Sequence, residues 1–145
     1  MPENKLYPPE GLRPPSSFTM QGLREALEQG TVLEGTALRC DAGHDLFFSL
    51  GGIRGRMPRA EVLAPWISGA QRDIAVLSRV GKPTCFQVSA LQADEKGAPL
   101  AILSRRAVQE RAMGFFLEHL CPGSVVTAVV SHLGSFGAFL DIGCG

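Results

Sequence analysis

Alternating apolar and polar residues dominate the middle of the chain. Leu46–Leu50 and Ile53–Met57 alternate on either side of the Gly51-Gly52 pair. Two glycines between alternating runs predict a β-hairpin with a two-residue turn, because both turn positions can take positive φ. A two-residue turn also fixes the register of the two strands, so Leu50 is predicted to pair with Ile53.

Three further strands are predicted around this hairpin. Residues 31–40 form a long first strand that bends at Gly35, and residues 84–91 alternate with Phe86 and Val88 on one side. A turn over 94–99 leads to a last strand over 100–104. Five strands with one long, less regular connection after the third favour a small closed barrel over an open sheet.

Helices are predicted on both sides of this barrel. Residues 1–19 are rich in proline and predict an extended, mobile tail, after which Thr19 can cap a helix over 20–28. Residues 105–120 predict a second helix, which Pro122 ends. The apolar face expected for that helix consists of Met113, Phe116, Leu117 and Leu120.

The end of the chain repeats its beginning. Gly30-Thr31-Val32 matches Gly123-Ser124-Val125, and residues 47–51 match residues 139–143. These matches predict a repeat unit of roughly 90 residues, with strands restarting over 124–132 and 138–142. The predicted organisation is a tail over 1–19, a first domain over 20–106, a linker helix over 107–121, and the truncated start of a second domain over 122–145.

Composition narrows the function classes. Apolar residues make up 45% and charged residues 19% of the chain, which is globular rather than disordered composition. The net charge is zero, but residues 30–106 carry ten Lys or Arg against seven Asp or Glu. This charge balance argues against strongly electrostatic binding of nucleic acid. No apolar run is long enough to span a bilayer and the first residues lack a secretory pattern, so a cytoplasmic protein without a membrane partner is expected.

Catalysis is not expected. The sequence contains no nucleophile elbow, P-loop or H-E-x-x-H motif, and its three histidines are scattered. The four cysteines stand far apart without the paired spacing of zinc ligands, so they are expected to be free thiols, and no metal, cofactor or small-molecule substrate is predicted.

One face of the predicted hairpin suits nucleic acid. The two-residue turn places Phe47 opposite Arg56 and Ser49 opposite Arg54, all on the side away from the apolar residues. Bases stack on aromatic rings and guanidinium planes, and phosphates pair with guanidinium groups. In the second unit Phe136 and Phe139 form a similar platform, since Phe139 lies on the polar side of its strand.

These residues belong to motifs of a known family. Residues 126–145, with Gly134-Ser135-Phe136-Gly137-Ala138-Phe139 and Asp141-Ile142-Gly143, closely resemble the opening of an S1 RNA-binding domain. Residues 50–61, followed by 80–83 and 103–106, are similar to a diverged copy. The whole arrangement resembles the N-terminal part of ribosomal protein S1 homologues of Firmicutes. The resemblance implies a mainly β protein: a five-stranded OB-fold barrel of the S1 type, followed by the first strands of a truncated second one.

The resemblance also implies functions for single positions. In S1 domains the two aromatics of the F-G-A-F element stack on single-stranded RNA, and these are Phe136 and Phe139 here. In the first unit Phe47 occupies the second of these positions and His44 the first, while Pro58 stands where the family usually has a histidine. The family's acidic residue in the turn before the last strand corresponds to Asp94. The residues predicted to bind RNA are therefore His44, Phe47, Arg54, Arg56, Asp94, Phe136 and Phe139.

Two functions remain open at this point. In the first, the chain binds single-stranded messenger RNA and helps to place it on the small ribosomal subunit. In the second, it is a protein-interaction module that docks a longer chain on the ribosome and leaves RNA contact to later repeats. The departures from the family pattern at His44 and Pro58 favour the second function for the first unit.

Overall fold

The protein is mainly β. The structure, a computed structural model, describes residues 7–12, 18–64, 70–135 and 137–144. The strands are β1 Leu33–Thr36, β2 Arg39–Cys40, β3 Leu46–Leu50, β4 Ile53–Met57, β5 Pro83–Ala93, β6 Pro99–Ser104, β7 Val129–Gly134 and β8 Gly137–Asp141. The helices are α1 Met20–Gln29, α2 Ala70–Leu77 and α3 Arg105–His119, with a 3-10 turn at Arg59–Glu61.

The first six strands form one curled, OB-like sheet in the order β1-β5-β6-β4-β3-β2. Its two end strands, β1 and β2, are consecutive in the chain and separated only by Ala37 and Leu38. Because one short segment supplies both edges, the sheet must bend back on itself. The sequence predicted one strand over 31–40 with a bend at Gly35. The break lies instead at Ala37, whose carbonyl accepts a hydrogen bond from Gly81 (2.8 Å), so the described sheet has six strands rather than five.

The register predicted for the β3–β4 hairpin is confirmed at every pair. Leu50 pairs with Ile53, Phe48 with Gly55 and Phe47 with Arg56. Alternation then sends one set of side chains into the core: Leu46, Phe48, Leu50 and Met57 are all buried there with Phe86, Val88 and Leu103. The opposite face of the same hairpin is left outside the core.

The capping residues of α1 follow the sequence prediction. The Thr19 hydroxyl accepts a hydrogen bond from the Gly22 N–H (3.0 Å), and Gly30 ends the helix in the left-handed conformation. Leu23 and Ala26 of this helix are buried against the sheet. The helix therefore closes one side of the core directly before β1.

The apolar face predicted for α3 is wrong. Met113 is 43% and Leu117 77% exposed, whereas Arg105 and Gln109 lie on the buried face with Val108 and Ala112. Two polar side chains can be buried because both have partners: Gln109 accepts a hydrogen bond from the Ala64 N–H (2.9 Å) and Arg105 pairs with a carboxylate. No helix in the described part of the chain is long and apolar enough to cross a membrane.

That carboxylate belongs to Glu10, within the segment predicted to be a mobile tail. Glu10 has a side chain only 5% exposed, and it accepts hydrogen bonds from Arg105 Nη2 (2.6 Å), Arg105 Nε (3.0 Å) and the Cys85 N–H (2.8 Å). Arg79 lies 3.3 Å away. Burial raises the pKa of Glu10, but the two arginines and these hydrogen bonds outweigh it, so its pKa lies below the ordinary value. Residues 7–12 are thus joined to β5 and α3.

The end of the β7–β8 hairpin is hydrogen-bonded to the segment that carries Glu10. Asp141, at the end of β8, is 6% exposed and accepts a hydrogen bond from the Glu10 N–H (2.9 Å). The sequence predicted strands over 124–132 and 138–142. Strand β7 begins later than predicted, at Val129, and β8 begins one residue earlier, at Gly137. The end of β8 is held by the segment that carries the buried Glu10. Whether this hairpin begins a second barrel stays a prediction.

The β3–β4 turn offers a matched pair of substitutions. Gly51 and Gly52 both have positive φ, but a Cβ at Gly51 would overlap the Phe18 carbonyl, whereas a Cβ at Gly52 meets nothing within 4 Å. Gly52→Ala should lower the free energy of unfolding by about 1 kcal/mol through backbone strain alone. Gly51→Ala should lower it by about 2 kcal/mol, because overlap is added. Urea unfolding of the two variants checks this, and equal losses would contradict the assigned packing of Phe18.

Candidate nucleic-acid interface

A row of three side chains crosses the outer face of the sheet. Phe47 of β3 pairs with Arg39 of β2 on one side and with Arg56 of β4 on the other. The guanidinium carbon of Arg39 lies 4.0 Å from the centre of the Phe47 ring. We call Arg39, Phe47 and Arg56 the Arg-Phe-Arg row. It places a half-buried aromatic ring between two positive groups, which is the combination that strand alternation predicted for Phe47 and Arg56.

Arg56 is held in a fixed position. Its Nε and Nη2 atoms donate hydrogen bonds of 2.8 and 2.6 Å to one carboxylate oxygen of Asp45. The other oxygen of Asp45 accepts a hydrogen bond from the Arg59 N–H (2.9 Å). Because Asp45 is tied to the backbone that follows β4, it orients Arg56 beside Phe47 and also neutralises much of its charge.

Arg54 is held less tightly. Its side chain is 57% exposed, and its nearest carboxylate oxygen, on Asp94, lies 3.6 Å away. An exposed ion pair of this kind contributes only about 0–1 kcal/mol, so another anion can compete for the guanidinium. Arg54 is therefore free to turn towards a phosphate.

Asp94 shapes the turn between β5 and β6. One of its carboxylate oxygens accepts hydrogen bonds from the N–H groups of Lys96 (2.8 Å) and Ala98 (2.9 Å). The Asp94 N–H donates to the Ala98 carbonyl (2.8 Å), which closes the turn. The sequence predicted Asp94 as an RNA-binding residue, and the structure shows in addition a local reason for an aspartate at this position.

Two members of the Arg-Phe-Arg row, Phe47 and Arg56, line a cleft of about 480 Å³. This volume lies within the range of roughly 300–1,000 Å³ that is usual for clefts that hold small organic groups. Three basic and three acidic side chains line it together with Phe47 and Leu100, so the cleft has almost no net charge. The charged lining residues are Asp41, Arg54, Arg56, Asp94, Glu95 and Lys96.

Of the seven residues predicted to bind RNA, the structure brings four together: Phe47, Arg54, Arg56 and Asp94 all line this cleft. His44 lies in the turn before β3, with φ 65° and its N–H donating to the Asp41 carbonyl (3.0 Å). It is not among the described residues of the cleft. Phe136 falls outside the described residues. Phe139 lies in β8, opposite His132, and only its backbone is described.

Sequence reasoning missed two basic residues of this surface. Arg39 was assigned to the first strand, but its contact with Phe47 depends on the β2–β3 register, which no turn signal between the two strands fixes. Lys96 lies in the β5–β6 turn and reaches the cleft because β6 pairs in parallel with β4, with Leu100 opposite Arg54. A prediction of the β4–β6 pairing would have found it.

The arrangement suits a flat, polar ring next to an anion. A base can stack on the Arg-Phe-Arg row through ring and guanidinium planes, while Arg54 and Lys96 are available for a phosphate. The carboxylates of Asp41 and Glu95 are acceptors that suit the amino groups of a base. The face combines stacking, charge pairing and hydrogen bonding within one cleft.

No family model matches the chain, and no curated protein matches it. Among solved structures, it is similar to the solution structure of GSP13 from Bacillus subtilis, with 27% sequence identity and a TM-score of 0.41. The match covers 55% of this chain and 56% of GSP13, so the chain spans little more than half the length of that protein.

Proposed function

We propose that this chain is a single-stranded RNA-binding module of an S1-like translation protein, acting on messenger RNA at the small ribosomal subunit. The observation that carries the proposal is the pairing of Phe47 with Arg39 and Arg56 on the outer face of a curled, OB-like sheet. An aromatic ring kept out of the core between two guanidinium groups is a stacking platform. The resemblance of residues 50–61 and 126–145 to S1 domains supports the same function.

Stacking, rather than charge, supplies most of the expected affinity. Base–aromatic stacking contributes about 1–3 kcal/mol per base. The charges of the cleft nearly cancel, and Arg56 is already paired with Asp45. Few phosphates can therefore be neutralised, and binding should depend only weakly on salt.

Substitution of Arg54 tests the phosphate contact. With two or three neutralised phosphates, the logarithm of the association constant for oligouridylate should fall against the logarithm of salt with a slope of roughly −1.5 to −2. Arg54→Ala should reduce that slope by about 0.7. Fluorescence anisotropy of the full chain at several salt concentrations measures both. Arg106→Ala, which removes an exposed arginine of α3, is the matched control and should leave the slope unchanged.

Ribosome docking through protein contact is the second candidate. The observation that favours it is that Arg54 and Arg56 already face Asp94 and Asp45, as charged groups do on protein-binding surfaces. Fluorescence anisotropy with oligouridylate separates the two functions. RNA binding at low salt that is lost in the Phe47→Ala variant supports RNA binding as the function. Absence of RNA binding at low salt, with retained binding to purified small subunits, supports docking.

A further inference from the structure

Two cysteines lie side by side beneath α3. Cys85 in β5 is 1% exposed and Cys144, after β8, is 0% exposed. Both belong to one buried apolar cluster with Val108 of α3. Strand alternation explains the position of Cys85: the next residue, Phe86, lies in the main core, so Cys85 points to the opposite face of β5.

The backbone around Cys144 is held from two directions. Its N–H donates to the Pro8 carbonyl (3.3 Å), and its carbonyl accepts a hydrogen bond from Gln109 Nε2 (3.2 Å). One residue earlier, the Gly143 N–H donates to Asp141 (2.8 Å). The backbone of Cys144 is thus held in this cluster by several independent contacts.

The other two cysteines are placed differently. Cys40 is half-buried at the end of β2, and its thiol donates to the Asp41 carbonyl (3.6 Å). Cys121 is exposed, and its sulfur lies 3.5 Å from the Ser124 hydroxyl. Oxidation chemistry at Cys85 and Cys144 can therefore be distinguished from reaction of an accessible thiol.

We propose that Cys85 and Cys144 form a reversible disulfide that joins the β7–β8 hairpin to β5. A low-molecular-weight disulfide such as oxidised glutathione serves as the oxidant. The thiolate of one cysteine attacks a glutathione sulfur, forms a mixed disulfide and releases one glutathione. The second cysteine loses its proton to solvent, attacks the sulfur of the first and releases the second glutathione. Two protein thiols are oxidised, and the glutathione disulfide is reduced to two thiols.

The reaction should start at Cys144. Burial raises the pKa of the Cys85 thiol well above its ordinary value, and the hydrogen bond with Cys144 and the charge of Glu10 raise it further. Thiolate at Cys85 is therefore rare. Cys144 becomes accessible when the segment after β8 is displaced, whereas Cys85 lies within a strand that is paired with β1. Formation should accordingly be slow in the folded protein and faster when the hairpin is released.

The disulfide would close a long loop that contains β5, β6, α3 and the β7–β8 hairpin. Closing a loop of this length restricts the unfolded chain strongly, and the midpoint of thermal unfolding should rise by roughly 10 °C. It would also hold the hairpin, with Phe139 in β8, in one position relative to the first sheet. The proposal does not depend on RNA binding and can hold if the first domain only docks.

The test is oxidation of the full chain. The protein is incubated with oxidised glutathione, free thiols are alkylated, and intact mass and peptide maps are recorded. We expect no alkylation at Cys85 or Cys144, a peptide linked through these two cysteines, and reversal by dithiothreitol. The Cys40→Ser, Cys121→Ser double variant, which keeps the proposed pair, should give the same product and the same rise in thermal midpoint.

Other products would overturn the proposal. Stable glutathione adducts at Cys144 without the linked peptide would show that Cys85 does not resolve them. Linkage only through Cys121, or between two chains, would show that the buried pair does not react. Cys144→Ser serves as a second variant: it should remain folded by circular dichroism and lose the oxidation-dependent rise in midpoint. A rise of equal size in that variant would also contradict the proposal.

Discussion

Phe47→Ala is expected to weaken the binding of single-stranded RNA by roughly 5- to 150-fold, the equivalent of about 1–3 kcal/mol of lost stacking. The ring lies on the outer face of β3, so its removal takes away the flat surface without opening the core, which is formed by Phe48 and its neighbours. Fluorescence anisotropy with oligouridylate measures the loss. The midpoint of thermal unfolding should change little, because the main stabilising interaction of the ring is its contact with Arg39.

A second aromatic residue provides the matched control. Phe115 of α3 is half-buried and stacks on His119, with ring centres 4.2 Å apart, outside the described lining of the Phe47 cleft. Phe115→Ala should leave the affinity for RNA unchanged. If Phe115→Ala and Phe47→Ala weaken binding equally, or if Phe47→Ala has no effect in a folded protein, stacking on the Arg-Phe-Arg row is not the basis of binding.

Glu10→Gln is expected to have the largest effect on stability, a loss of about 3–5 kcal/mol in the free energy of unfolding. Glu10 and Arg105 have side chains 5% and 4% exposed, so solvent hardly screens the pair. Removing the carboxylate charge takes away the ion-pair partner of the buried Arg105 guanidinium. Urea unfolding followed by circular dichroism measures the loss.

The chain contains a matched ion pair for comparison. Arg106 and Glu110 form an exposed pair (2.9 Å) one turn apart on α3. Glu110→Gln should leave the unfolding curve unchanged, because solvent screens both groups. Equal effects of the two Glu→Gln substitutions would show that burial of the Glu10 pair does not decide stability.

The effect of Glu10 should depend on pH in one direction. Its pKa in the folded protein lies below the ordinary value of 4.5. A carboxyl group with a lowered pKa contributes stability that is fully present above its unfolded pKa and is lost as pH falls through the folded pKa. The difference in the free energy of unfolding between wild type and Glu10→Gln should therefore be constant near neutral pH and shrink below about pH 4. A difference that grows on acidification would contradict the ion pair.

Local signals predicted part of this molecule well. The β3–β4 hairpin follows from Gly51-Gly52, because a two-residue turn fixes both the register and the face of Phe47. Thr19 and Gly30 likewise mark the ends of α1. In each case the determining residues lie within the element itself.

Long-range partners explain what the sequence did not reveal. Arg105 and Gln109 give α3 a polar pattern on its buried side, and they are tolerated there only because Glu10, Ala64 and Cys144 supply partners from distant segments. Helical periodicity alone therefore selected the wrong face. At the candidate site the same limit applied to Arg39, whose neighbour depends on how the sheet curls rather than on local spacing.

The most direct test of RNA binding by the Arg-Phe-Arg row is nuclear Overhauser contact in the complex. The full chain with labelled phenylalanine rings is mixed with a short oligouridylate, and contacts between ring protons and base protons are recorded. We expect contacts from the Phe47 ring to the H5 and H6 protons of uracil. Base contacts confined to Phe115 or other rings of α3, with none to Phe47 in a saturated complex, would contradict RNA binding by the Arg-Phe-Arg row.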